Sequence, residues 1–236
     1  MSILSTFSEA VAKLLVKGPI PKHVAFIMDG NRRFARLNNL SSPVEGHRKG
    51  SVKLQQVVHW CLRLGIRELS VYALSTENFR RPQKELEGLF ALAQEAFCQF
   101  LEDASFVHQQ GIRIVFAGKM EMLPVDLQKV AVRLMESTQA HTGLLLNICC
   151  PYTSLEEVFA ASNSAAESSC RLWVESPVDL LVRTSGERRL SNFLLWQVTS
   201  APEGIVSFTG QNWPAFSWWN FIYILVVYQV NKIFSF

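Results

Sequence analysis

Short apolar runs separated by stretches of helical periodicity run through most of this chain, and that alternation restricts it to one fold class. The runs are Val24–Met28, Leu69–Leu74, Ile112–Ala117, Leu144–Cys149, Leu180–Val182 and Ile205–Phe208. Continuous apolar character is the pattern of strands buried on both faces. Between them, Val52–Leu64, Lys84–Val107, Pro124–Gln139 and Ser154–Ser169 carry apolar residues at helical spacing, and Gly65 closes the first. The alternation predicts an α/β fold: a central, mainly parallel six-stranded sheet flanked by helices, with right-handed crossovers. A chain of 236 residues, 49% hydrophobic, fits a single domain with a substantial core.

Several chemistries are excluded. No Gly-x-Gly-x-x-Gly is present, so a Rossmann dinucleotide fold has no support, and in Gly46-His-Arg-Lys-Gly-Ser51 the lysine precedes the second glycine, unlike a phosphate-binding Walker loop. The net charge of +3 is too small for a general nucleic-acid binder, and no nucleic-acid partner is expected. Cys61, Cys98, Cys149, Cys150 and Cys170 lack metal-site spacing; the adjacent Cys149 and Cys150 read as buried thiols in a reducing, cytosolic setting. Eight of the fourteen arginines cluster, as Arg32/Arg33/Arg36, Arg80/Arg81 and Arg183/Arg188/Arg189, and no lysine falls within these clusters. That bias suits forked recognition of anions.

Four blocks carry the candidate chemistry. In His23-Val-Ala-Phe-Ile-Met-Asp-Gly-Asn-Arg-Arg-Phe-Ala35, Asp29 sits where the first strand leaves the sheet, the usual place for ligands in open α/β sheets. Gly30 permits close backbone approach, Asn31 offers donor and acceptor, and Arg32 and Arg33 offer planar forks. One carboxylate beside two guanidiniums suits a magnesium-bound diphosphate. The second strand ends in Tyr72-Ala-Leu-Ser-Thr-Glu-Asn-Phe-Arg-Arg-Pro82, in which Ser75 and Asn78 either cap their own turn or serve the same site as Asp29. Gly46-His47-x-x-Gly50 precedes the first long helix. Around the fifth strand, Asp179-Leu-Leu-Val-Arg-Thr-Ser-Gly-Glu-Arg-Arg-Leu-Ser-Asn-Phe-Leu-Leu-Trp-Gln197 packs three arginines, two serines and a glycine into nine residues, and Ser191 and Asn192 are placed to cap the following helix.

These blocks, in this order and spanning about residues 20 to 198, resemble the signatures of the cis-prenyltransferases, the family of undecaprenyl and dehydrodolichyl diphosphate synthases. The resemblance implies a transferase that condenses isopentenyl diphosphate head-to-tail onto an allylic diphosphate such as farnesyl diphosphate. The new double bond is cis, and the product is a polyprenyl diphosphate for dolichol synthesis. It implies Asp29 and Asn78 as the catalytic pair, with Asp29 as ligand of a magnesium ion (Mg2+). Gly30, Asn31, Arg32, Arg33, Phe34, His47, Ser75, Thr76, Glu77, Phe79 and Arg81 are then substrate contacts. Arg183, Arg189 and Ser191 fall to the isopentenyl diphosphate, with Arg188 where bacterial members often have histidine. Details of the blocks lean toward the eukaryotic catalytic subunit, which implies the cytosolic face of the endoplasmic reticulum, a membrane surface, and a dimer with a non-catalytic subunit resembling the Nogo-B receptor. Ala73 and the Leu86–Leu101 helix either line a product tunnel or are ordinary core.

The chain departs from the family pattern late in the sequence. Pro43 stands where a basic residue is common, and only 31 residues separate Asn147 from Asp179, a shortened stretch between 150 and 178. Pro202 stands where bacterial relatives carry a metal-binding glutamate, with Glu203 one position later, and no Arg-x-Gly closes the chain. The expected partition is an N-terminal amphipathic helix (1–18), a catalytic domain (19–210) and an atypical apolar segment (211–236). The first helix either lies at a membrane surface or packs on its own domain. The apolar Phe221–Tyr228 run falls short of the roughly 20 residues of a span. A catalytically impaired scaffold or regulatory subunit is the alternative reading.

Overall fold

The computed structural model describes residues 3–102, 104–164 and 172–234. Strands β1 (His23–Ile27), β2 (Glu68–Tyr72), β3 (Arg113–Ala117), β4 (Leu145–Cys149), β5 (Leu180–Arg183) and β6 (Ile205–Phe208) form one sheet in the order β3-β4-β2-β1-β5-β6. Every neighbouring pair is parallel. In β1 the period-two geometry sends Val24 and Phe26 into one core cluster and Ala25 and Ile27 into the other. Both faces are covered, which is why the strand reads as an unbroken apolar run.

The helices are α1 (Ile3–Leu15), α2 (Asn31–Leu37), α3 (Pro43–Leu64), α4 (Gln83–Glu102), α5 (Ala104–Gln109), α6 (Val125–Thr138), α7 (Ser154–Ser164), α8 (Leu195–Thr199) and α9 (Trp218–Phe234). Helix α3 differs from the sequence expectation. Helix α3 starts nine residues before Val52, capped by Ser42 with Pro43 in the first turn, so Gly46-His47-x-x-Gly50 lies inside the helix rather than before it. Lys84–Val107 is helical over α4 and α5, and Asp103 between them lies outside the described residues. The Ser154–Ser169 helix is seen to Ser164, and the rest lies outside the described residues.

The segment 211–236 enters the core through an aromatic group. The Phe26 ring on β1 lies 5.5 Å from Trp213, 5.7 Å from Phe216 and 5.7 Å from Phe221, centroid to centroid. Helix α9 also buries Ile222, Ile224, Leu225 and Tyr228, while Trp219, Tyr223, Val226, Val230 and Ile233 are exposed. It runs beside α1: Phe7 packs 5.7 Å from Trp219, and Gln229 Nε2 donates to Leu15 O at 2.7 Å. Among the described residues no helix is long and apolar enough to cross a membrane.

The stretch just before β5 is tied down at Val174 by one buried carboxylate. Glu157 accepts from Tyr152 Oη at 2.5 Å, Gln197 Nε2 at 2.9 Å and the Val174 backbone N–H at 2.8 Å. These bonds join α7, α8 and the 172–178 stretch and compensate the desolvation of Glu157.

Candidate active site

Strand order makes β1 the neighbour of both β2 and β5, so the loops leaving their C-terminal ends converge. Asp29 follows β1, Ser75 follows β2 and Arg183 ends β5. Gly30 has φ +101°, and a Cβ there would lie 2.5 Å from Asn212 Oδ1, so the turn after Asp29 requires glycine.

The Arg183 guanidinium organises the site. It is almost fully buried; Nη2 donates to Asp29 Oδ2 at 2.8 Å, and Nη1 donates to Ser191 Oγ at 2.8 Å and to the Arg189 carbonyl. Gly30 N–H donates to the other Asp29 oxygen at 2.7 Å, and Thr184 Oγ1 donates to the Asp29 carbonyl at 2.7 Å. Arg33 reaches across to donate to Ser185 Oγ at 2.7 Å and to Glu187 at 3.1 Å, and Arg189 also pairs with Glu187. Bonds from Arg33 and Arg189 hold the Glu187 carboxyl below its usual range. Four non-glycine residues of this loop, Ser185, Ser191, Asn192 and Leu194, have φ between +46° and +78°. Backbone strain of this kind persists where surrounding contacts over-determine it, typically at functional sites.

After β2, Ser75 Oγ accepts from Glu77 N–H at 3.1 Å and Asn78 Oδ1 accepts from Ser75 N–H at 3.2 Å. The turn is therefore self-capped and faces the site as well. Arg81 donates to Glu85 at 3.0 Å, and Arg32 lies 3.6 Å from the same oxygen. His47 sits on α3, where burial, with Arg81 and Arg32 adding to it and Glu85 opposing, lowers it to about 4. Gly46 and Gly50 let α3 touch the site: a Cβ on Gly46 would lie 2.2 Å from Asn31 O, and one on Gly50 2.3 Å from Asn31 Oδ1. Three buried atoms around this point, Asn31 Oδ1, His47 Nε2 and Arg183 Nε, have no hydrogen-bond partner among the described residues. Buried polar atoms are normally paired, and the residues that carry these three orphans line one space.

That space is a cavity of about 790 Å³. Its polar end is lined by Asp29, Gly30, Asn31, Arg32, Arg33, His47, Ser75, Glu77, Asn78, Arg81, Arg183, Arg189 and Ser191. Its apolar end is lined by Ala73, Leu89, Phe90, Ala93, Phe97, Phe100, Leu127, Ile148 and Cys150. Phe34, Thr76, Phe79 and Arg188 are not among its lining residues; the Phe79 ring packs 5.9 Å from Phe90 instead. Arg36 lines the cavity on the side of Pro43, whereas Arg48 pairs with Glu95 at 3.4 Å. Glu203 pairs with Lys232 at 2.7 Å and does not line it. Nor do Ser191 and Asn192 cap α8: Ser154 Oγ accepts from Leu195 N–H at 2.9 Å, while Asn192 Oδ1 accepts from Leu155 N–H at 3.3 Å. The left-handed backbone at Ser191, Asn192 and Leu194 turns those side chains away from the α8 start.

Sequence reasoning missed Tyr72, Ser185 and Trp213. Trp213 N–H donates to Asp29 O at 2.9 Å and its Nε1 donates to Gly50 O at 2.8 Å. Its only local signal was the following proline, which says nothing of a partner so far away in the chain.

A magnesium ion fits the donor set. Asp29 is about a third exposed at the polar end, and each carboxylate oxygen keeps a lone pair beyond its one protein donor. Among the described residues no group of three or more acidic, histidine or cysteine ligands forms a cage. Magnesium is commonly held in that way, by one or two carboxylates together with substrate phosphates.

Residues 27–233 match the prenyltransferase family profile described as "Putative undecaprenyl diphosphate synthase". The chain is 37% identical to the dehydrodolichyl diphosphate synthase complex subunit DHDDS of Homo sapiens, over 97% of this chain and 73% of that protein. It is 35% identical to a dehydrodolichyl diphosphate synthase complex subunit of Schizosaccharomyces pombe, over 92% and 88% respectively. Among solved structures it resembles lavandulyl diphosphate synthase from Lavandula x intermedia, in complex with dimethylallyl diphosphate, with a TM-score of 0.80 and 27% identity over 89% of this chain and 95% of that one. Its profile match and these likenesses over nearly the whole length lead to one conclusion: the chain belongs to the cis-prenyltransferase family.

Proposed function

We propose that this chain is a polyprenyl diphosphate synthase of the dehydrodolichyl type, condensing isopentenyl diphosphate onto an allylic diphosphate such as farnesyl diphosphate. One observation carries the reading: a single cavity has Asp29, Asn78 and the Arg183–Ser191 loop at its polar end and an apolar lining from α4 beyond them. In the reaction the allylic carbon–oxygen bond breaks and diphosphate leaves with the electron pair. The isopentenyl double bond supplies the new carbon–carbon bond, and a proton is lost to form the cis double bond.

Arg32, Arg33 and Arg81 face the allylic diphosphate, where their charge opposes the negative charge that grows as the bond breaks. Arg189 and Ser191, held by Arg183, receive the isopentenyl diphosphate. Asp29 would hold magnesium, which supplies charge neutralisation to a bound diphosphate. Asn78 orients the group that takes the proton; an amide has no basic site of its own near neutral pH. His47, its pKa lowered by burial, faces the allylic diphosphate beside Arg32 and Arg81 as a neutral side chain. The α4 wall excludes water from the growing chain.

The product would feed dolichol synthesis and, through it, protein glycosylation. The exposed apolar side of α1 and α9, with Phe7, Trp219 and Tyr223 and the nearby Lys13 and Lys17, suits peripheral contact with the cytosolic face of the endoplasmic reticulum membrane. The chain's partner in a dimer would be a non-catalytic subunit resembling the Nogo-B receptor, in line with the complex-subunit relatives. The test is elongation of farnesyl diphosphate with labelled isopentenyl diphosphate and magnesium, by the chain alone and with such a subunit. Labelled polyprenyl product that disappears in Asp29→Ala supports the reading. Absence of product under both conditions, with Asp29→Ala indistinguishable from wild type, overturns it.

A further inference from the structure

Tyr72 ends β2, and its side chain lines the cavity between the Ser75–Asn78 turn and the loop after β5. Its ring stacks on the buried Phe193 with centroids 4.5 Å apart and planes 11° apart. Its hydroxyl lies 3.1 Å from Tyr152 O and 3.2 Å from Ser191 O, one donor shared between two carbonyls. Ser191 and Asn192 have φ of +48° and +58°, conformations that side chains other than glycine keep only where neighbours hold them. The Asn192 side of that turn is held from α7, by Ser154 N–H at 2.8 Å to Asn192 O and Leu155 N–H at 3.3 Å to Asn192 Oδ1. The Ser191 side is held from within the site, by Arg183 on its hydroxyl and by Tyr72 on its carbonyl.

We propose that Tyr72 is a positioning residue for the isopentenyl diphosphate half of the site: its hydroxyl fixes the Ser191 peptide, and through it the direction in which Ser191 Oγ and Arg189 face the diphosphate. This rests on the assignment of that half-site made under the proposed function. The Ser75 side chain also bonds the Tyr72 hydroxyl, but that hydroxyl bonds to neither the Asp29–Arg33 loop nor α3, so the larger effect falls on the isopentenyl diphosphate half. Burial raises the phenol to about 12, so it remains a donor at any pH where the protein works.

The test is Tyr72→Phe in the full chain, which keeps the stacked ring and removes the donor alone. The expected result is a rise of about tenfold in KM for isopentenyl diphosphate, the scale of one hydrogen bond. KM for farnesyl diphosphate should stay within about twofold of wild type, and the thermal midpoint within a few degrees. Direct titration of isopentenyl diphosphate should show the same weakening. Unchanged KM values, or equal rises for both substrates, overturn the inference while leaving the functional reading intact. A wild-type chain that neither binds nor elongates isopentenyl diphosphate overturns both. Tyr72→Leu, lacking ring and hydroxyl, should lower stability as well as affinity; if it alone affects KM, the role is packing rather than positioning.

Discussion

Arg183 Nη2 lies 2.8 Å from Asp29 Oδ2, joining the last residue of β5 to the loop that leaves β1. The guanidinium is 4% exposed and the carboxylate 36%, so the pair is half in protein and half in the cavity. Arg183→Met removes a cation that also holds Ser191 and the Arg189 carbonyl. Turnover should fall about 100- to 1000-fold, the scale for losing a preorganised electrostatic group. Stability should fall by about 2 kcal/mol, below the cost of breaking a fully buried pair because water screens Asp29. Steady-state kinetics and urea unfolding check the two parts separately.

Gly46 and Gly65 separate two uses of glycine. Gly46→Ala drives a Cβ to 2.2 Å from the Asn31 backbone oxygen, so α2 and its arginines must move; a loss of about 1–3 kcal/mol and a weaker grip on the allylic diphosphate are expected. Gly65→Ala meets no neighbour but must hold φ +72°, costing about 1 kcal/mol with diphosphate affinity unchanged. Equal effects of both on affinity would contradict the α2–α3 contact.

Burial of His47 gives the chain a pH dependence. Its folded value of about 4 lies below the ordinary 6.5, so between those values the unfolded chain binds the extra proton. Its contribution is fully present above pH 6.5 and is lost as pH falls toward 4, by at most about 3 kcal/mol. Relative to His47→Gln, wild type should lose stability over that window; parallel unfolding curves from pH 7 to 4 would rule this out.

Ala93 faces the apolar end of the cavity from α4. Ala93→Phe should fill that volume and shorten the products, read by thin-layer or mass analysis, with the first condensation slowed less than later ones. Products of unchanged length would place the growing chain elsewhere.

Phe221 is fully buried against Phe26, Trp60 and Phe216. Phe221→Ala should cost about 3–5 kcal/mol, as for a core aromatic. The exposed Tyr223→Ala should cost under about 0.5 kcal/mol. A small effect at Phe221 would mean that α9 is dispensable to the fold.

Local signals in the chain were enough to find the six strands, because apolar runs flanked by helical periodicity have few other solutions. They also placed Asp29, Asn78 and the Arg183–Ser191 block near strand ends, which the sheet order brings to one cavity. They misplaced the start of α3, because the packing of Gly46 and Gly50 against Asn31 is invisible in the sequence. They also gave Ser191 and Asn192 to the wrong helix end, because a run of left-handed residues without glycine has no sequence signature.

The sequence by itself determined the α/β class, the strand set and the residue types available to a diphosphate site, all of which follow from periodicity and side-chain chemistry within short windows. Only the tertiary structure decided which of those residues meet. Placing β1 between β2 and β5 brings Asp29 within 2.8 Å of a residue 154 positions away, sets Tyr72 against the Ser191 carbonyl and lays Trp213 across both Asp29 and Gly50. Such contacts depend on strand order and on crossovers of many residues, and no local pattern encodes them.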